Sequence, residues 1–366
     1  MKEIRNLVLT GGPCSGKTTA IATIERELTA RGYYVLIVPE TATELISNGI
    51  RPFGNCLDNL SFQKVLFEKQ LHKEALYLKV AEQIPAAKVV IVYDRGLMDN
   101  KTYLSEEDFV KLLDFFKTDE VAIKDRYDAV FHMVTAADGA EAFYTLENNS
   151  SRTETPQQAR NLDKQGKKNW NGHPHLRIID NSTDFKHKIS RLMAEVYVVL
   201  GDPVPVEIER RFLVKKPSLE ELSKHVHITV VDITQSYLKS EYGTELRLRQ
   251  RGINGSYFYY LTEKGNINNL KRFKKERKIS EREYNELLSK EDTSMKRITK
   301  KRACFEYMNQ YFELDLFDFS DDEAIVEIEL TSESDEFYLP EFLTVIKEIT
   351  DDMDYRNYAL AKRQKL

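Results

Sequence analysis

Between Leu200 and Pro205 the periodicity of this chain changes, and no other feature limits its possible folds as strongly. Before that point, short β-branched runs alternate with longer segments whose apolar residues recur every three or four positions. After it, apolar and charged residues alternate at every second position. The first pattern calls for strands joined by helices, hence a parallel sheet covered on both faces, because parallel neighbours need a crossover connection. The second calls for strands with one apolar and one polar face. Gly201, Asp202, Pro203 and Pro205 interrupt the last helical pattern, Phe185 to Leu200. The break predicts two domains, residues 1–202 and 203–366, in a chain of 366 residues that is longer than one hydrophobic core usually serves.

Five strands are expected in the first half: Arg5 to Thr10, Tyr34 to Val38, Lys88 to Tyr93, Tyr127 to Val134 and Leu176 to Asp180. Helical spacing follows the first strand and recurs from Ser61 to about Gln83 and from Glu106 to Phe116. Asn148 to Leu162 reads as a polar loop able to act as a lid, or as an ordinary solvated loop. Eight strands are expected in the second half, at Val204 to Val214, His227 to Leu238, Gly243 to Arg251, Ser256 to Lys264, Arg272 to Ile279, Arg297 to Met308, Gln310 to Asp318 and Ala324 to Leu330. A short helix capped by Ser280 lies among them, and Pro340 opens a further pattern near the end.

Composition narrows the function. Apolar residues at 41% and charged residues at 31% are those of a soluble globular protein, and no apolar run is long enough to span a bilayer, so a cytoplasmic location is expected. Cys14, Cys56 and Cys304 have neither metal-type nor disulfide-type spacing. With a net charge of −5, no nucleic-acid partner is expected, and any anion site must be a local concentration of Lys and Arg.

One such site follows the first strand. Gly11-Gly12-Pro13-Cys14-Ser15-Gly16-Lys17-Thr18 has the spacing of a phosphate-binding loop between a strand and a helix, with Thr19 next in the chain. Its backbone N–H groups and the helix N-terminus suit ATP or GTP phosphates, Lys17 suits the β and γ oxygens, and Thr18 suits Mg²⁺. Asp94, at the end of the third strand, is a second candidate for the metal. Arg95 is a candidate phosphate clamp, Glu40 a candidate base, and Arg152 a candidate lid arginine. A structural ion pair of Arg95 with Glu40 or Asp99 is the alternative for those residues. Over residues 1 to about 200, the loop, Pro39-Glu40, Asp94-Arg95-Gly96 and Arg152-Thr153-Glu154 resemble the small P-loop kinases close to ribosylnicotinamide kinase and thymidylate kinase, in a branch also found in a two-domain animal trafficking ATPase or GTPase. The resemblance implies a nucleoside-kinase-like α/β core.

The second half repeats one arithmetic. A period of two puts Glu207, Glu209 and Arg211 on one face, Arg247, Arg249 and Arg251 on another strand's face, and likewise Lys300 with Arg302, Glu313 with Asp315, and Glu327 with Glu329. The charged faces are backed by Ile, Leu, Val or Phe, so both faces need cover. A closed antiparallel barrel with a charged interior provides it. Acids there suit Mg²⁺ or Mn²⁺ and bases suit phosphates; a solvated face is the plain alternative. From about residue 204 to 362 the pattern resembles the CYTH, or triphosphate tunnel metalloenzyme, family. The resembling motifs are Glu207, Glu209 and Arg211; Arg247 and Arg249; Thr262 and Lys264; Lys300 and Arg302; and Glu327 and Glu329, with Asp315 as a further acid. It implies an α+β domain built on a closed eight-stranded β-barrel, with metal on Glu207, Glu209, Asp315, Glu327 and Glu329 and triphosphate on Arg211, Arg247, Arg249, Lys264, Lys300 and Arg302. Arg211 stands where that family has Lys, which makes binding the firmer expectation and hydrolysis the finer one.

Two rivals accompany this reading of a two-domain phosphate-handling enzyme. One is a nucleotide-gated regulatory module holding a phosphoinositide headgroup, to which the basic run Lys271 to Lys278 adds a surface for anionic phospholipid. The other is a nucleoside or nucleotide kinase with a vestigial tunnel.

Overall fold

The computed structural model describes residues 2–144, 154–202, 208–240, 244–268, 271–330 and 335–366, and their side chains except at 265–268 and 271–275. Arg152 and Glu207 therefore lie outside the described residues, as do the side chains of Lys271, Lys274 and Lys275. The chain divides into two compact units, Met1–Val196 and Tyr197–Leu366.

In the first unit β1 (Glu3–Gly11), β2 (Tyr34–Val38), β3 (Lys88–Asp94), β4 (Ala129–Met133) and β5 (Leu176–Ile179) form one parallel sheet in the order β2-β3-β1-β4-β5. Leu7 to Leu9, Val89 to Val92 and Ala129 to Phe131 are all buried, as strands covered on both faces must be. The unit's helices are α1 (Lys17–Ala30), α2 (Thr41–Ser47), α3 (Asn59–Gln83), α4 (Glu106–Phe116), α5 (Glu120–Lys124), α6 (Pro156–Trp170) and α7 (Phe185–Leu200); α1, α3 and α6 pack on the strands, and α2 and α4 pack on α3. The chain leaves β1 toward β2 and β3 on one side and later returns to β4 on the other, so the crevice at the end of β1 is the ligand position of such sheets.

Residues 156–162, read from their polarity as part of a loop, open α6. Thr155 Oγ1 accepts from Gln158 N, Gln158 Oε1 accepts from Thr155 N, and Pro156 stands in the first turn. The helix escapes a hydrophobic count because the face it buries includes Asp163, Gly166, Lys167 and Asn169 beside Ala159 and Trp170.

Among the described residues the second unit forms one antiparallel sheet with nine strands: β6 (Ile208–Lys215), β7 (Ile228–Leu238), β8 (Thr244–Ile253), β9 (Ser256–Asn268), β10 (Lys271–Ile279), β11 (Ile298–Tyr307), β12 (Gln310–Phe317), β13 (Glu323–Leu330) and β14 (Val345–Glu348). Their order is β10-β9-β8-β7-β11-β12-β13-β6-β14. Eight strands were expected. The ninth is β14, which follows the turn after Pro340 and pairs with β6; at four exposed residues it is too short to show a period. Among the described residues no ladder joins β10 to β14, so the paired strands form an open series rather than the closed barrel. The sheet is nevertheless strongly curled. Arg251 Nη1 on β8 comes within 3.9 Å of Glu313 Oε1 on β12, although β7 and β11 lie between them in the ladder.

The apolar face packs Phe212, Val214, Phe305, Phe312, Leu314 and Val326 against Leu222 of α8 (Leu219–His225). Leu238, Leu248 and Ile279 pack with Tyr284 of α9 (Glu281–Leu288), and Leu213, Ile298, Phe317 and Ile325 with Leu360 and Ala361 of α10 (Asn357–Arg363). Among the described residues no helix is long and apolar enough to cross a membrane.

Candidate functional site

The loop after β1 takes its shape from three backbone positions that favour glycine or strain another residue: Gly11 at φ 145°, Cys14 at 56° and Gly16 at 90°, the last being the N-cap of α1. Space decides as well as angle. A Cβ on Gly11 would stand 2.1 Å from Met133 O, and one on Gly16 would stand 2.5 Å from the Phe185 ring. Gly12, Pro13 and Ser15 are buried within the loop, Cys14 and Gly16 half-buried, and Thr18 and Thr19 are exposed in the first turn of α1. Lys17 curls back to donate to Gly11 O at 3.5 Å. Burial and the neighbouring Arg95 push its ammonium below the ordinary lysine value.

Beside the loop, β3 delivers Asp94 and Arg95, the latter with a positive φ of 70° that marks strain at a working position. Arg95 Nε donates to Glu40 Oε1 at 2.6 Å, and Thr43 Oγ1 donates to Glu40 Oε2 at 2.6 Å. Burial alone would raise the Glu40 carboxyl, but Arg95 and Lys17 outweigh it and hold it down at about 2. So low a value keeps Glu40 ionised and makes it a weak proton acceptor. Asp99, the other candidate partner of Arg95, is committed elsewhere: it accepts from Thr10 Oγ1 at 2.6 Å, Gly96 N at 2.8 Å and Trp170 Nε1 at 3.1 Å. A cleft lined by Gly11, Gly12, Pro13, Arg95, Tyr103 and His132 opens next to the loop.

Asp94 differs from these acids. Its Oδ1 is buried without a hydrogen-bond partner, and burial followed by the charge of Glu40 raises its carboxyl, against the pull of Lys17. Among the described residues no three His, Cys, Asp or Glu side chains cluster closely enough to cage a metal. One unsatisfied carboxylate oxygen and one threonine suit Mg²⁺, which keeps most of its waters and takes phosphate oxygens rather than an all-protein cage.

Sequence reasoning missed the groups behind the loop. Asp163 of α6 accepts from Gly12 N at 2.9 Å and Thr135 N at 3.0 Å, and pairs with His132 Nε2 at 3.1 Å. Lys188 of α7 donates to Val134 O and to Asn181 Oδ1, each at 2.7 Å. The helical spacing of α7 predicted its apolar face; no local signal pointed to a buried lysine there.

In the second unit the expected charged residues share one face. Cross-strand partners stand directly opposite each other: Arg247 with Thr262, Thr262 with Glu276, Arg302 with Asp315, Glu313 with Glu327, and Glu327 with Arg211. The face is shut away from water, with Arg211, Arg247, Arg251, Lys300, Arg302 and Asp315 all at most 8% exposed. The plain alternative of a solvated face is thus excluded for these six residues. Glu209 and Glu329, paired in register, are exposed at its margin, and Lys264 is half-buried on β9.

The acids on this face are held by bases. Asp315 accepts from Arg302 Nε at 2.6 Å and Nη2 at 2.7 Å and from Lys300; Glu327 accepts from Arg211 Nε at 2.9 Å and Arg302 Nη2 at 2.9 Å. Arg302 and Lys300 overcome burial and hold Asp315 well below the ordinary carboxylate range. A metal at Asp315 or Glu327 would have to displace a guanidinium. On β8 the balance is reversed. Arg247, Arg249 and Arg251 have Glu276 and Glu313 as their acid neighbours, the Nε atoms of Arg247 and Arg249 are buried without partners, and burial together with Arg247, Arg251 and Arg302 lowers the Arg249 guanidinium despite Glu276.

Sequence-family comparison matches residues 6–188, half of the chain, to an AAA domain and residues 206–350 to a CYTH domain. The chain belongs to the AAA-domain family of P-loop proteins, with a CYTH domain fused after it. The matched AAA domain contains the loop, Glu40, Asp94 and Arg95, and the CYTH domain contains the whole buried charged face. The inorganic triphosphatase NE1496 is 30% identical, over 43% of this chain and 95% of its own, with a TM-score of 0.32. The PH1819 protein of Pyrococcus horikoshii OT3 is 22% identical over 35% of this chain and 81% of its own, with a TM-score of 0.28. HpAC1 of Hippeastrum, described as having a dominant triphosphatase activity, is 15% identical over 34% and 80%, with a TM-score of 0.26. No curated protein matches.

Proposed function

We propose that the CYTH domain binds an organic or inorganic triphosphate and hydrolyses it, and that the AAA domain binds ATP or GTP with Mg²⁺. The observation that carries the first part is the crowding of Arg247, Arg249 and Arg251 on one buried strand face with two acids between them. Buried like charges repel by several kcal/mol unless an anion is supplied, and a triphosphate supplies it in bidentate-ready form. Lys264, Lys300, Arg302 and Arg211 extend the cationic lining toward the acids. Water attacks the terminal phosphorus, the bridging P–O bond breaks, and orthophosphate leaves with the remaining diphosphate as the other product. Glu209 and Glu329, with Glu207, are the acids that would hold a Mg²⁺ or Mn²⁺ accompanying the triphosphate, and such an ion would neutralise phosphate charge.

In the AAA domain, backbone N–H groups of residues 14–19 receive the nucleotide phosphates, Lys17 neutralises them, and Thr18 and Asp94 would hold Mg²⁺. Glu40 aims Arg95 at the phosphates rather than taking a proton, given its low pKa and its ion pair.

Phosphate release from tripolyphosphate, ATP and GTP, with Mg²⁺ or Mn²⁺, separates the two sites. The native chain and Lys17→Ala release phosphate from tripolyphosphate equally, while Arg249→Ala loses at least tenfold. No release by the native chain from any of the three substrates refutes the hydrolase.

A further inference from the structure

The phosphate loop is braced from behind. Thr135 Oγ1 donates to Pro13 O, Ala136 N to Cys14 O at 3.3 Å, and Lys188 Nζ to Ser15 O at 3.4 Å, while Gly12 N is turned toward Asp163. Three successive carbonyls are thereby drawn to the outer side of the loop, which leaves the N–H groups from Cys14 onward to the phosphate side. Lys188 is the unusual member. It is 2% exposed, and its three hydrogen-bond partners, Ser15 O, Val134 O and Asn181 Oδ1, are all uncharged oxygens. Asn181 is fixed in turn, since its Nδ2 donates to Thr135 O at 2.8 Å and Asp138 O at 2.6 Å.

Burying an ammonium on neutral carbonyls is expensive for a merely structural contact. The cost is recovered if an anion sits on the far side of the loop. We propose that Lys188 is a positioning residue of the phosphate loop: its ammonium holds the outward carbonyls in the shape that receives a triphosphate and adds positive charge beneath it. The inference rests on the reading of this loop as a nucleotide site.

The groups facing Lys188 are Asp163 on α6 and Asp180 after β5, which favour its charge, and Arg191 on α7, which opposes it. Burial outweighs the acids and brings the ammonium down to about 8. An ammonium donates three hydrogen bonds and a neutral amine two at most, so losing the proton releases one of the three oxygens. Lys17 is also lowered, but it is common to native chain and variant, so their affinity ratio at each pH isolates Lys188.

The test is binding of fluorescent ATP and GTP analogues with Mg²⁺ to the full chain, from pH 6.5 to 9.5, for native, Lys188→Met and Lys17→Ala proteins. Lys188→Met binds about tenfold more weakly at pH 6.5, and the ratio falls toward one as pH passes about 8. A ratio near one at pH 6.5, or one that stays at tenfold to pH 9.5, overturns the proposal. If the native chain does not bind, or Lys17→Ala binds equally well, the nucleotide reading itself fails and takes the proposal with it. Should Lys188→Met not fold, hydrogen exchange of the native protein decides. After correction for intrinsic rate, the amide of Ala136, which donates to Cys14 O, loses protection above about pH 8 while those of β1 keep theirs; unchanged protection of Ala136 refutes the role.

Discussion

Replacing Asp315 by Asn removes the anion at the centre of the CYTH charged face. Asp315 is 1% exposed and bonds both Arg302 and Lys300. Arg302 keeps Glu313 and Glu327, so it stays paired. Lys300 loses its carboxylate and is left over the Phe317 ring, 5.1 Å from its centroid. Stranding one member of a buried pair costs about 3–5 kcal/mol, and since Lys300 can shed its proton, the lower end, about 3, applies at pH 7. With an m-value of about 2 kcal/mol per M, the urea midpoint of this unit falls by about 1.5 M. Burial already lowers native Lys300 to about 8, against the pull of Asp315. Without Asp315 it falls further, so below about pH 8 the folded variant binds fewer protons than the folded native chain, and the deficit shrinks as pH rises to 8 and is flat above. The single Trp, Trp170, lies in the first unit and reports that unit by fluorescence, while far-UV circular dichroism records both units, so the transition seen by dichroism but not by fluorescence is that of the second. A midpoint shift below about 0.3 M, or a deficit that grows with pH, would refute the reasoning.

Glu40→Gln leaves Arg95 without its carboxylate. Because folded Glu40 sits at about 2 against an ordinary 4.5, it contributes on the order of 3 kcal/mol above pH 4.5, lost as pH falls toward 2. Acid titration of stability should lose that slope in the variant, and an unaltered slope would show that the pair is idle. Gly12→Ala puts a methyl 2.8 Å from Asp163 Oδ1 and 2.9 Å from its Cβ, so buried Asp163 must move. A loss of about 1–3 kcal/mol in thermal stability and a weaker nucleotide complex are expected; native-like behaviour in both would count against the brace.

Much of the site could be read from short stretches of chain. The loop spacing, the strand ending in Asp94-Arg95 and the alternation through Arg247, Arg249 and Arg251 are local patterns. The sheet then placed them at one strand edge and on one buried face. The opening of α6 was also legible, in Thr155, Pro156 and Gln158, but its polar buried face concealed it. Asp163 and Lys188 gave no signal, because their partners, Gly12 and Ser15, lie more than 150 residues away.

What the amino-acid order alone determined is therefore what two backbone periods can encode. Helical spacing with glycine at fixed positions made a phosphate loop on a parallel sheet, and a period of two separated charge from carbon on β8, β12 and β13. The tertiary structure decided which base meets which acid, that a ninth strand extends the sheet, and that Lys188 lies under the loop. These depend on which distant segments become neighbours, with β7 beside β11 and β13 beside β6. A side chain's spacing states the face it occupies; only the packing of the whole unit states what stands opposite.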